Sequence, residues 1–164
     1  MSDFGFKKIG KLSHQKKWKK SIFDVYSDAS INNSWTKILK KECDKYKLDF
    51  LTSPYDLNYV DSTYSFVKAY KIGSGDITWK EIIEKIAKKK KPIILATGAS
   101  TIEEVVAAVE LILRFQKKLV LMQCNTNYTN EEKNFQFLNL NVLSTFKKMF
   151  KNKIILGLSD HTQG

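Results

Sequence analysis

Five apolar runs punctuate the chain, at residues 48–52 (LDFLT), 69–74 (AYKIGS), 93–97 (IILAT), 119–125 (LVLMQCN) and 154–161 (IILGLSDH). Each is short, mostly apolar toward its start and polar or reactive at its end, and the later three are rich in Ile, Leu and Val, the signature of buried strands. Between them the apolar spacing changes to three and four residues, the helical period. Trp35, Ile38, Leu39, Cys43 and Tyr46 trace one such face; Ile82, Ile83 and Ile86 trace a second; Val105, Val106, Val109, Ile112, Leu113 and Phe115 trace a third. A weakly patterned helix is predicted over 56–67 and another over 138–150. Ser34, Thr78 and either Ser100 or Thr101 are the predicted helix N-caps. Glu103 and Glu104 fall in a first helical turn, where the macrodipole favours them. Strands alternating with helices predict βαβ units and a parallel sheet, and ligands of such sheets sit beyond the carboxyl ends of the strands.

The N-terminal residues 1–33 read differently: basic and irregular, with Trp18, Ile22, Phe23, Val25 and Tyr26 as apolar anchors, a long loop holding at most one short helix. The remainder, 34–164, reads as the folded domain. At 164 residues and 43% hydrophobic content the chain is long enough for one ordinary core. No run approaches the roughly 20 apolar residues that span a bilayer, and MSDFGFKKIG has no signal-peptide core, so the cytoplasm is expected. Cys43 and Cys124 stand far apart without a CxxC pattern, which predicts buried thiols rather than a zinc site or disulfide.

A net charge of +11 raises the question of nucleic acid. The composition answers against it. Arg114 is the single arginine among 28 basic residues, and arginine supplies the bidentate contacts that dominate base readout. The lysines cluster at predicted helix ends, as at 88–91, where cations suit the dipole. The expectation is no nucleic-acid partner and no membrane partner.

Candidate chemistry lies at the strand ends: Thr52 and Ser53; Lys71, Ser74 and Asp76; Thr97; Asn125 and Tyr128; Ser159, Asp160 and His161. Parallel neighbours would gather these groups at one mouth. A lysine with several hydroxyls and an amide holds a phosphate or carboxylate. His161 is a potential ligand for a divalent metal, and Asp76 a potential base. Lys71 and Ser74 have opposite strand parity, so they share a side only if Gly73 kinks the strand. Plainer readings stay open for each: His161 as a solvated imidazole, Ser74-Gly75-Asp76 as a turn, 98–101 as a helix start, 125–130 as a polar loop, His14 as a structural or solvated side chain.

Taken in order and spacing, FLTSPYD (50–56), YKIGSGD (70–76), ILATG (94–98), QCNTNY (123–128) and GLSDHT (157–162) resemble the sialic acid synthase family, the N-acetylneuraminate, legionaminic acid, pseudaminic acid and spore-coat polysaccharide synthases. The resemblance implies a partial TIM (β/α)8 barrel, strands three to seven. It further implies condensation of phosphoenolpyruvate with an N-acyl hexosamine such as N-acetylmannosamine, with Mn2+ or Mg2+ as cofactor and a homodimer as the full-length form. Carried onto this sequence, it places phosphoenolpyruvate on Ser53, Lys71, Ser74, Asn125 and Ser159, the metal on His161, and catalytic roles on Asp76, which would position the metal-bound water and sugar, and on Tyr128, which would contact the substrate. Thr52-Ser53 in place of Ser-Thr, Ala96 for a serine, Gln123 for a histidine and Thr129 for a proline mark a subgroup with a different sugar. The family's first two strands, its last strand with a second metal histidine, and its antifreeze-like domain would lie outside the chain, so inactivity of the segment alone is expected. A small open α/β module that binds anionic or phosphorylated ligands or nucleic acid without catalysis, and another phosphoenolpyruvate-dependent aldol-type barrel, are the competing readings.

Overall fold

The computed structural model describes residues 18–128 and 131–162; the expectations about His14 and Thr129 lie outside the described residues. The described elements run in chain order as α1 (Ile22–Asp28), α2 (Trp35–Lys45), β1 (Leu51–Thr52), α3 (Leu57–Thr63), β2 (Ala69–Ile72), α4 (Lys80–Lys88), β3 (Ile93–Ala96), α5 (Ile102–Phe115), β4 (Leu119–Cys124), α6 (Asn141–Phe150) and β5 (Ile155–Ser159), with 3-10 turns at Ser74–Asp76, Glu132–Phe137 and Lys151–Lys153. All five strands are parallel and pair in sequential order. That is the winding of successive units in a TIM barrel, each helix carrying the chain back to the start of the next strand.

The register separates two faces. Tyr70, Ile72, Ile93, Leu95, Leu119 and Leu121 alternate onto the helix-covered side, where they are buried with Ile82, Ile83 and Ile86 of α4, Val109 and Ile112 of α5, and Phe146 of α6. Their burial is the main stabilising contribution, about 1.5–3 kcal/mol for each large apolar side chain. Lys71, Ile94, Val120 and Ile155 form one cross-strand row on the opposite, inner face, and Ala96, Met122 and Gly157 form the next. The inner face is less covered, and Ile155 is 67% exposed.

Caps and turns adjust the predicted boundaries. Thr101 begins α5 with a capping box: its hydroxyl accepts from Glu104 N–H, and Glu104 accepts from Thr101 N–H. Ser34 precedes α2 but makes no side-chain cap bond, because its backbone is already helical; Asn32 Oδ1 accepts its N–H instead. Thr78 does not cap α4, which starts one residue later after Trp79. Asp56 does cap α3, accepting from the N–H groups of Asn58 and Tyr59. The predicted strand at 48–52 shrinks to two residues, since β1 is an edge with one hydrogen-bonding neighbour. On α2 the predicted apolar face is mostly open: Trp35, Ile38, Leu39 and Tyr46 are exposed, and Thr36 is the buried residue of that helix.

The lysine run at 88–91 is tied down at the amino-end side of the sheet. Lys91 donates to the carbonyls of Tyr64 and Val67 and stands 4.5 Å over the Tyr64 ring. Lys90 reaches the carbonyl of Phe115, and Lys85 and Lys89 share Asp61. Burial lowers the Lys91 ammonium below its ordinary value, helped by Lys68. Both cysteines are free thiols; Cys124 is buried and Cys43 partly so. Among the described residues, no helix is long and apolar enough to cross a membrane.

Candidate functional site

At the carboxyl ends of the strands, Gly73 ends β2 in extended geometry and the chain turns at once into the 3-10 turn Ser74–Asp76. That turn resolves the parity conflict between Lys71 and Ser74. Lys71 stays on the inner face below the rim, while Ser74 swings across to β3, where its hydroxyl accepts the Gly98 N–H at 3.2 Å. Continuing the β1–β2 register by one residue sets Ser53 opposite Lys71.

Gly98 is required by close approach. A Cβ there would lie 2.4 Å from Thr126 Cγ2, 2.8 Å from the Cys124 carbonyl oxygen and 3.1 Å from Ser74 Oγ. The left-handed backbone of the loop falls instead on Ala99, with φ 56. Thr97 closes the other side of β3 by donating its hydroxyl to the Met122 carbonyl. Three strand ends are thereby packed into one rim.

Beyond β4 the two neighbouring residues part ways. Asn125 is buried; its side-chain Oδ1 accepts the Asn127 N–H at 2.9 Å and its Nδ2 donates to the Asn134 backbone carbonyl at 3.3 Å. Its carboxamide therefore organises the loop. Thr126 lies against Gly98 and lines the cleft of Ser74, Gly98 and Tyr128. Ser159 pairs with Cys124 on the inner face and is buried. Past it, Tyr128 and His161 meet edge to face, ring centroids 4.6 Å apart. The Asp160 carboxylate is occupied by Thr162, accepting first from its hydroxyl and then from its N–H; these bonds hold the carboxyl below its ordinary value.

Asp76 sits differently. Its Oδ2 and the Tyr55 hydroxyl converge over Gly73, at 3.2 and 3.5 Å from where a Cβ would be. Burial pushes the Asp76 carboxyl above its ordinary value and the Tyr55 phenol upward as well, the latter also through the Asp76 charge. A carboxyl whose pKa is raised by burial at a rim is a candidate for proton transfer.

The structure thus gathers Ser74 with the β3 loop, Tyr128 with His161, and Asp76 over Gly73, and it places Lys71 and Ser159 on the inner face. It adds Tyr55 and Thr126. Thr126 was readable by counting in twos from Met122 along the inner face; Tyr55 follows Pro54 in the first strand-end motif. Behind the rim, Gln123 points to the helix side, where its Oε1 is buried without a partner beside Thr97, Val105 and Phe146 in a cavity of about 350 Å³. Among the described residues no three of His, Cys, Asp and Glu gather into a metal centre. His161 is a single imidazole there, too few donors for a metal site without others.

A parallel sheet wound in sequence, with its polar groups collected at the strand ends, defines a partial TIM barrel. The chain belongs to the NeuB family, whose sequence model matches residues 6–164. It is 36% identical to the N,N'-diacetyllegionaminic acid synthase of Campylobacter jejuni over 124 residues, 73% of this chain and 36% of that one. It is 30% identical to the pseudaminic acid synthase of Helicobacter pylori over 148 residues, 89% of this chain and 42% of that one. The chain therefore spans 36% and 42% of the length of these curated relatives. The crystal structure of N-acetylneuraminic acid synthetase from Leptospira borgpetersenii shares the fold, with a TM-score of 0.80 at 24% identity over 92% of this chain and 52% of that one.

Proposed function

We propose that this chain contributes the substrate rim of an enzyme that condenses phosphoenolpyruvate with an N-acyl hexosamine to give a nonulosonic acid and phosphate. The observation that carries the reading is that Lys71 and Ser74 at the end of β2 and Ser159 at the end of β5 lie on or beside the inner face at the same, carboxyl, edge of the sheet. One ammonium and fixed hydroxyls suit the phosphate and carboxylate of phosphoenolpyruvate. Ser53 extends that set along β1, and Asn125 supports it through the loop it braces.

In the proposed reaction C3 of phosphoenolpyruvate bonds to the aldehyde carbon of the open-chain sugar, water adds at C2, and phosphate leaves. Asp76 orients the water and sugar, and its raised carboxyl accepts and returns a proton at that place. Tyr128 contacts the substrate from the rim. A divalent cation, Mn2+ or Mg2+, would take His161 as one ligand, and its chemistry is polarisation of the aldehyde; the remaining ligands would come from outside the described residues. The reaction is assigned to the cytoplasm and to a homodimer of the complete protein.

The test is phosphate release by the complete protein with phosphoenolpyruvate across a panel of N-acyl hexosamines, with and without Mn2+ or Mg2+. Metal-dependent release with at least one sugar is expected, and none from the 164-residue segment alone. Tight phosphoenolpyruvate binding without release from any sugar would favour the anion-binding module instead.

A further inference from the structure

Tyr55 carries a functional group for which the proposed reaction has so far no task. It follows the Ser53-Pro54 end of β1 and is 55% exposed, yet its hydroxyl turns back over β2 to within 3.5 Å of the Cβ position of Gly73. Asp76 Oδ2 approaches the same point at 3.2 Å. Because Gly73 has no side chain, both oxygens come close over its backbone with no Cβ between them. Neither is hydrogen-bonded to another described side chain.

We infer that Tyr55 and Asp76 together grip one hydroxyl of the acceptor sugar and thereby distinguish a free hydroxyl from a phosphate ester at that position. The inference rests on the synthase reading above. A sugar hydroxyl is both donor and acceptor: it gives its proton to the carboxylate and accepts the phenol O–H. A deoxy carbon satisfies neither group, and sites built to hydrogen-bond a hydroxyl discriminate strongly against analogues that lack it. A phosphate ester at that place has little proton to give and brings a charge of the same sign against Asp76. The same repulsion keeps phosphoenolpyruvate on the Lys71 side, so the two substrates are sorted across the rim by charge. Tyr55 is a specificity residue on this reading.

The experiment uses the complete protein and its Tyr55→Phe variant, assayed for phosphate release with phosphoenolpyruvate and N-acetylmannosamine, the monodeoxy analogues of that sugar, and its 6-phosphate. The parent should discriminate against one deoxy analogue. In Tyr55→Phe the KM for the full sugar should rise about tenfold, the worth of one hydrogen bond, with the KM for phosphoenolpyruvate unchanged, and discrimination against that one analogue should collapse. Asp76→Asn, read by calorimetric binding rather than turnover because the carboxyl also serves the reaction, should bind the phosphorylated sugar more tightly than the parent does. An unmoved sugar KM with discrimination retained in Tyr55→Phe, or an equal rise in both substrates' KM, would overturn this inference alone. Absence of release by the parent with every N-acyl hexosamine would overturn the synthase reading and this inference with it.

Discussion

The Gly98 N–H donates to Ser74 Oγ at 3.2 Å, and this bond joins the end of β2 to the loop after β3. The contact exists because Gly98 has no Cβ: one would stand 2.4 Å from Thr126 Cγ2 and 2.8 Å from the Cys124 carbonyl. Gly98→Ala must push the β3 loop off the rim. Overpacking of this kind costs about 1–3 kcal/mol. The expected outcome is a lower urea midpoint together with weaker phosphoenolpyruvate binding by calorimetry; an unchanged midpoint would show that the loop yields freely.

Lys71 supplies the rim's positive charge from the inner face. Lys71→Ala should weaken phosphoenolpyruvate binding by roughly tenfold to a hundredfold, the range for losing a hydrogen bond to a charged group. Titration calorimetry with the complete protein measures it, and wild-type affinity in the variant would remove Lys71 from the anion site.

His161 has two separable features, a ring that packs on Tyr128 at 4.6 Å and nitrogens that can bind a metal. His161→Phe retains the ring contact and loses the nitrogens. Metal-dependent turnover should therefore be lost in both His161→Phe and His161→Ala. Full turnover in His161→Phe alongside loss in His161→Ala would mean that packing, not metal ligation, is the role.

Asp76 has a carboxyl that burial raises. An acid that holds its proton more tightly folded than unfolded destabilises the fold once it must ionise: the cost is absent below the unfolded value of about 3.9, grows as pH rises through the folded value, and is constant above it. Asp76→Asn removes that cost. Its stability relative to the parent should therefore increase as pH is raised from about 3.5 and then level off. Urea midpoints across that range check the sign, and a difference growing toward acid would contradict the burial effect.

Gln123 holds its Oε1 buried without a partner on the helix side. Gln123→Met keeps the length of the side chain and removes the unsatisfied polar atom. The variant should be more stable by about 1 kcal/mol, the lower part of the cost of a buried unpaired group, read from the urea midpoint. Destabilisation would indicate that Gln123 has a partner after all.

The alternation of short apolar runs with helical spacing was sufficient to read the parallel α/β class, because burying a strand on both faces demands continuous Ile, Leu and Val whatever the neighbours are. The capping box at Thr101 was local in the same way, since its partner Glu104 is three residues on. Strand-end polar residues were legible as a set for the same reason: a polar group ending an apolar run has nowhere to go but the rim.

What the sequence left open depends on contacts between distant residues. The side taken by Ser74 was settled by the turn after Gly73 and by the Gly98 N–H, 24 residues away. The roles of Asn125 and Thr126 diverge because one meets Asn134 and the other Gly98. Tyr55 acquires its bearing on Asp76 only because two parallel strands place their ends side by side over a glycine. Periodicity and caps are encoded within a few residues of where they act, whereas which strand ends face one another is fixed by tertiary pairing, and the chemistry of this rim belongs to that second level.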